Sequence, residues 1–260
     1  MCIICTGEIY KEDLDTLTEL NVSFCSNLTS EKLQKFLIQC KNLEELYCYS
    51  CHSLTSLHLW SVKLVALECS CTSLTSLDLR NNINLITLNC SFCTFLTSLD
   101  LQDNINLTKL ECSHCTSLTS LDLRNNINLN ILECNYCRSL TSLDLRNLKE
   151  LGCNSCRTSL DLRNNKNLTT LSCYSCRSLT SLDLPKKYKD CINYSDCHWI
   201  SQNEDFSNNL QRLIKLQRWY RKLLVIKYMK SQEFIEWIYN PNNMGGYLHK
   251  KKLLKEYCQE

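Results

Sequence analysis

The chain has 260 residues, 22% of them charged, and a formal net charge of +2, so it can bury one substantial core or two small ones and carries no overall charge excess. Only 4 glycines and 2 prolines accompany 21 cysteines, which excludes a glycine-rich phosphate cradle and means that something else must turn the chain. The charge is uneven: residues 1–185 hold 15 basic against 19 acidic side chains (net −4), and residues 186–260 hold 14 against 8 (net +6), which marks a boundary.

The N-terminal stretch "MCIICTGEIY" has neither the basic start nor the apolar run of a signal peptide, and no segment reaches the roughly 20 apolar residues of a membrane span. The expectation is a cytoplasmic protein in a reducing compartment, with free thiols. Residues 1–13 read as an N-terminal cap. From Leu14 onward the chain repeats itself. Near its start, "LTELNVSFCSNLTSEKLQKFLIQCKNLEEL" places a short helix over about 31–40, with Ser30 as its N-cap. Further on, the segments align as L-x-x-L-x-C-x-x-C-x-x-L-T-S-L-D-L-x-x-N-x-N with a period of 21 to 22 residues, most cleanly from Leu85 to Asn106 and from Leu107 to Asn128. Each unit holds two short period-2 signals, one ending in Leu-x-Cys and one in Leu-Asp-Leu.

A fixed repeat of this length is the mark of a solenoid, whose coils bury their leucines against one another. The pattern L-x-x-L-x-L-x-x-N/C resembles the leucine-rich repeat. The resemblance implies a leucine-rich-repeat solenoid over residues 14–184, of the α/β class but mostly parallel β with short turns, right-handed, with strands on two sides of a flattened coil. The first repeat resembles the cysteine-containing subclass and the later ones the "LTSLDLxxN" type. Between Leu143 and Leu160 the leucine spacing shortens from 11 to 8 and 9, so that coil should be kinked or tightened.

The repeated C-x-x-C admits two chemistries. In the leucine-rich repeat the second cysteine of each pair takes the inward Asn/Cys place of the turn, where it bonds backbone groups, and the first takes an inward strand place. Both then have a structural reason to exist, because free cysteine packs as a small buried hydrophobe with a weak donor. Alternatively, pairs in adjacent coils, such as Cys112 and Cys115 with Cys134 and Cys137, would offer four thiolates to one zinc ion or serve thiol redox chemistry. The shortened pair Cys69/Cys71 argues against a strict ligand set.

Two faces are candidates for recognition. Outward from the Leu-Asp-Leu strands run Asp78, Asp100, Asp122 and Asp144, with Arg80, Gln102, Arg124 and Arg146 two residues on, which reads as a salt-bridge lattice. Outward from the other strands the residues vary, with Tyr47, Glu68, Asn89, Glu111, Glu133 and Gly152 in equivalent places. The turns beside them carry Tyr49, Phe92, His114, Tyr136 and Tyr174. Exposed aromatics on a fixed scaffold suit protein recognition.

Residues 185–209 read as a linker or cap, and 210–260 as a short basic α-helical segment. "LQRLIKLQRWYRKLLVIKYMK" is amphipathic and has no acidic residue. Within it "LQRWYRKLLVIK" resembles the IQ motif that binds calmodulin-type proteins, matching at Leu216, Gln217 and Arg221 and flanking Trp219, but with Lys222 in place of the usual glycine. The cysteine-rich repeats, "CHWI", this helix and "NPNNMGGY" together resemble leucine-rich-repeat proteins of giant amoeba-infecting DNA viruses. No Gly-x-Ser-x-Gly is present and the five histidines are scattered, so no catalytic role and no cofactor are expected. The sequence reading is a monomeric, non-catalytic interaction scaffold with a protein partner and no DNA or membrane partner for the solenoid. Its alternatives are a structural zinc or thiol-redox protein, and an adaptor whose helix recruits an acidic partner.

Overall fold

A computed structural model describes residues 14–157, 159–162, 164–176, 182–183 and 192–193, together with residue 4. The chain divides into two units, Met1–Gln202 and Asn203–Glu260, and the description concerns the first. The basic helix, including Leu216, Gln217, Trp219 and Arg221, lies outside the described residues.

The strands are at most three residues long because each coil offers only one out-in-out step before its turn. Nine of them form one parallel sheet in the order β1 (Glu19–Asn21), β2 (Glu45–Tyr47), β4 (Ala66–Glu68), β6 (Thr87–Asn89), β7 (Lys109–Glu111), β8 (Ile131–Glu133), β10 (Glu150–Gly152), β12 (Thr170–Ser172) and β14 (Ile192–Asn193). One inward ladder fixes the register: Leu20, Leu46, Leu67, Leu88, Leu110, Leu132, Leu151 and Leu171 are consecutive partners, and the backbone pairing continues from Leu171 to Ile192. A slip of one residue would turn that whole row to solvent. On the opposite side, β3 (Ser56–His58) pairs with β5 (Ser76–Asp78), and β9 (Ser142–Asp144) with β11 (Ser159–Asp161) and β13 (Leu182–Asp183). Between these pieces the ladder thins to a single Leu121–Leu143 bridge. Leu57, Leu77, Leu99, Leu121 and Leu143 nevertheless stay buried, so the core is continuous where the strand pairing is not.

The helix is α1, Ser30–Leu37, and it differs from the expectation at both ends. Its N-cap is Thr29, whose hydroxyl accepts the Lys32 amide, while the Ser30 hydroxyl accepts the Thr55 and Ser56 amides of the next coil. Leu33, Phe36 and Leu37 bury one face, and the chain leaves the helix at Ile38, before Cys40.

Two ladders of side chains tie the turns together. On the long-sheet side, the second thiol of each pair donates to the carbonyl of the preceding coil's first pair position: Cys71 to Cys48, Cys93 to Cys69, Cys115 to Cys90, Cys137 to Cys112, Cys156 to Cys134 and Cys176 to Cys153, at 2.8–3.2 Å. Cys51 does the same to Val22. On the other side, the Nδ2 groups of Asn82, Asn104, Asn126 and Asn165 donate to Leu59, Leu79, Leu101 and Leu145. The bonds therefore run back to the coil before, not forward to the next.

The shortened coils show why asparagine is used. In full coils the leucine after the turn gives its amide to the asparagine carbonyl of its own coil, as Leu107 does to Asn104. Short turns have no such carbonyl, so Leu64 and Leu148 give theirs to the Oδ1 atoms of Asn82 and Asn165 in the following coil, at 2.8 and 3.0 Å. Asn147, at φ 63°, closes the tightened turn expected before Leu151, and β8, β10 and β12 keep their register across it.

The two ladders should differ in strength, because an amide is a better donor than a thiol. Asn126→Ala removes bonds to the Leu101 and Asn104 carbonyls, each of which keeps one partner in its own turn. The expected loss in urea unfolding is about 2 kcal/mol, against about 1 kcal/mol for Cys137→Ala; equal or negligible losses would contradict the bonding scheme.

Candidate functional site

At the exit of the long sheet each full pair turn holds a residue in the left-handed region: Phe24, Ser50, Phe92, His114, Tyr136, Ser155 and Ser175, with φ from 55° to 62°. That conformation costs a non-glycine residue about 1–2 kcal/mol. It is held because the same residue's amide reaches the next coil: Phe92 to Ser113, His114 to Asn135 and Tyr136 to Asn154, each at 2.7 Å. The side chains consequently stack at the coil repeat. Phe92 and His114 lie 4.5 Å apart at 7°, and His114 and Tyr136 4.5 Å apart at 17°. Tyr49 precedes the left-handed residue of its turn and packs edge-on against Phe24 at 4.8 Å. Tyr174 has the same place in its own turn, and its hydroxyl lies 2.6 Å from that of Tyr136.

The third coil breaks the stack. Its turn, Cys69-Ser70-Cys71, is one residue short and has no left-handed position, so no side chain stands between Ser50 and Phe92. A groove of about 710 Å³ opens there over the outward face of β4, β6, β7 and β8. Tyr49 and Phe92 are in its walls, and Glu68, Asn89, Glu111 and Glu133 stand on its floor. Its rim includes His52, whose Nδ1 lies 3.2 Å from the Thr72 hydroxyl.

The groove is negatively charged. Glu111 and Glu133 are direct cross-strand partners. Burial pushes the Glu133 carboxyl above its ordinary range, helped by the charges of Glu111 and Glu150 and opposed by the hydrogen bond from Asn135. Gly152 lies beneath the Glu133 side chain, and a Cβ there would collide with that carboxylate. Lys109 pairs with Glu111 at 2.8 Å, whereas Glu68 has no ion pair among the described residues. Tyr47, half-buried on β2, donates to Glu45 at 2.6 Å, and that bond pushes its hydroxyl up to about 12.

On the opposite side two arginines of the expected salt-bridge lattice bond to aspartates of their own coils. Arg80 grips Asp78 of its own coil through Nε and Nη2 at 2.9 and 2.7 Å, and Arg124 grips Asp122 at 3.0 and 2.6 Å. Asp100 accepts the Gln102 amide at 3.1 Å. The side chain of Asp144 lies outside the described residues. Arginine and aspartate two apart in one strand exit reach each other more directly than their counterparts in the next coil.

All sixteen described cysteines are buried and carry thiols rather than disulfides. Cys115 and Cys137 spend their protons on backbone carbonyls. The thiols of Cys112 and Cys134 are pushed well above the ordinary range by the hydrogen bond with the paired thiol of a following coil and then by burial. Among the described residues, no group of three or more His, Cys, Asp or Glu side chains is arranged to hold a metal ion. Also among these residues, no helix is long and apolar enough to cross a membrane.

Sequence reasoning named the aromatic turn residues but not the groove. Its signal was the missing residue between Cys69 and Cys71. Phe24 and His52 were also not singled out, nor was the exposed row of Ile83, Ile105 and Ile127 at the asparagine turns.

Parallel three-residue strands, a leucine ladder and inward Asn/Cys turns define a leucine-rich-repeat solenoid. No family model matches the chain, and no curated protein matches it. Among solved structures it is similar to an internalin, inlF, from Listeria monocytogenes strain 4b F2365, at 17% identity over 71% of each chain with a TM-score of 0.33. It is also similar to the functional domain of InlJ from Listeria monocytogenes, which includes a cysteine ladder, at 20% identity over 70% of this chain and 60% of that one with a TM-score of 0.23. Neither likeness carries function to this chain.

Two outcomes follow from the side-chain chemistry. Arg80 holds the Asp78 carboxyl at about 2 against an ordinary 3.8, so its stabilising contribution is fully present above pH 3.8 and is lost as pH falls through about 2. Carboxyl NMR of Arg80→Ala should show Asp78 titrating back toward 3.8; an unchanged midpoint would contradict the pairing. The buried thiols should react with a disulfide reagent only after denaturation, and the purified protein should contain no stoichiometric zinc. Rapid labelling of the folded chain, or one zinc per chain with unfolding by chelator, would overturn the structural role of the ladder.

Proposed function

We propose that the chain is a non-catalytic, monomeric protein-interaction scaffold that meets its partner on the outward face of the long sheet. The observation that carries this reading is the groove at the shortened third turn, which gathers variable side chains from five coils on a rigid register. Tyr49, Phe92, His114, Tyr136 and Tyr174 supply contact area along one edge, with Tyr47 beside them on β2. The strip of Asp78, Asp100, Asp122 and Asp144 is a second candidate surface. Its aspartates at 78 and 122 are already satisfied by their own arginines, which leaves less for a partner to gain.

The domain arrangement we propose is an N-terminal cap over 1–13, the solenoid over 14–184, a cap or linker over 185–209 and a basic helical segment over 210–260. Strand β14 falls in the third of these and pairs with β12. The basic segment, through Leu216, Gln217, Trp219 and Arg221, is a second contact for a calmodulin-like or other acidic protein, supported by its IQ-like sequence. Placement in the cytoplasm, and kinship with leucine-rich-repeat proteins of giant DNA viruses, rest on the sequence motifs alone.

Affinity capture with matched variants tests the choice of face. Glu111→Lys combined with Phe92→Ala should abolish capture of a partner retained by the native chain, whereas Asp100→Asn combined with Asp122→Asn should leave capture unchanged. The opposite pattern would place the contact on the aspartate strip, and equal capture by both variants would remove the solenoid from the interaction.

A further inference from the structure

The missing turn residue gives the groove a specific chemistry. In the stack Phe92–His114–Tyr136 each ring covers the next at 4.5 Å. One face of Phe92 is taken by His114, while the other looks toward the coil that has no side chain at this position, and Phe92 remains 51% exposed. A uniform C-x-x-C repeat would place one more side chain there. Coils repeat at about 4.8 Å, so the empty step leaves room for one flat group against the ring.

The charge around that step has one sign. The groove is lined by the carboxylates of Glu68, Glu111 and Glu133 and by no lysine or arginine. Glu68, half-buried in the shortened coil itself, has no cationic partner among the described residues. The like charges of Glu111 and Glu133, held opposite each other by the register, oppose one another and are offset only in part by Lys109, which pairs with Glu111 at 2.8 Å from outside the groove lining and which an incoming cation would share or displace. A flat, delocalised cation that stacks on an aromatic face and donates to two carboxylates at once is a guanidinium, which does this better than a compact ammonium group.

We propose that the groove binds an arginine-bearing basic segment of a partner protein, seating one guanidinium on the free face of Phe92 in the space left by the missing turn residue, with Glu68 and Glu111 as its counter-ions. The proposal rests on the scaffold reading and names the occupant of the same surface. Neighbouring basic residues of the segment lie along the carboxylate row toward Glu133. Burial of that carboxylate makes an incoming positive charge more favourable there than on the open surface.

Fluorescence anisotropy with a labelled peptide of alternating arginine and serine tests this on the full chain, with lysine–serine and glutamate–serine peptides as comparisons. The arginine peptide should bind, the lysine peptide several-fold more weakly, and the glutamate peptide not at all. Glu68→Gln with Glu111→Gln should weaken the arginine peptide by at least about tenfold. Phe92→Leu should remove the preference for arginine over lysine, because it keeps apolar bulk and loses the ring face. Inserting one phenylalanine between Ser70 and Cys71 restores the full turn, and with circular dichroism unchanged it should abolish binding by filling the step. No binding of the arginine peptide, equal binding of the lysine peptide, or indifference to the glutamine pair would each overturn the proposal. If capture of a protein partner still depends on Glu111 and Phe92 while the arginine peptide fails to bind, the occupant is wrong and the scaffold face stands. If both fail, the scaffold face falls with it.

Discussion

Stacked coils bury the backbone of their turns where water does not reach, and every amide and carbonyl there must find a partner within the chain. This chain meets that constraint with almost no glycine. The thiol ladder supplies donors on the long-sheet side, the asparagine ladder supplies them on the other, and the left-handed turn residues give their amides to the next coil. The leucines provide the driving force for burial, but these turn bonds decide how one coil sits on another.

The two ladders do different work because a thiol can only donate weakly, whereas an amide can donate and accept. Asparagine can therefore serve coils of either length, and its Oδ1 takes up the amides of Leu64 and Leu148 when a shortened turn leaves them without a carbonyl. In the regular coils that second capacity is unused, and the Oδ1 atoms of Asn104 and Asn126 have no partner. Such an acceptor costs less than an unpaired amide, so one ladder can serve both regular and irregular coils. On the cysteine side the response to a lost residue is different. The Cys71 thiol still reaches Cys48, so the ladder holds, and the deletion appears at the surface as the groove.

Much of this was legible in the sequence. The spacing of leucine, cysteine and asparagine gave the inward ladders, the parallel register and the tightened coil near Leu148, because period-2 alternation and the fixed repeat leave few other arrangements. Less legible were features that depend on which neighbour wins a bond. Thr29 caps the helix because Ser30 is drawn to the Thr55 and Ser56 amides of the next coil, a contact with no local signature. The Asp–Arg rows read as a lattice, but chain geometry brings Arg80 and Arg124 to the aspartates of their own coils. The groove was hidden for a related reason: a residue that is absent from one repeat looks like an irregularity until the stack of its neighbours shows what would have stood there.

The rigidity of the turn stack underlies both the fold and the surface read from it, since Phe92, His114 and Tyr136 hold their rings in register only while their amides stay bonded to the following coil. Residue-resolved amide hydrogen exchange of the native chain tests this most directly. The amides of Phe92, His114 and Tyr136 should exchange as slowly as those of the strand leucines Leu88, Leu110 and Leu132, despite lying in turns at the protein surface. Exchange at the rate of open turns, with the strand leucines still protected, would show that the coils are held by their leucines alone and that the turn bonds do not order the stack.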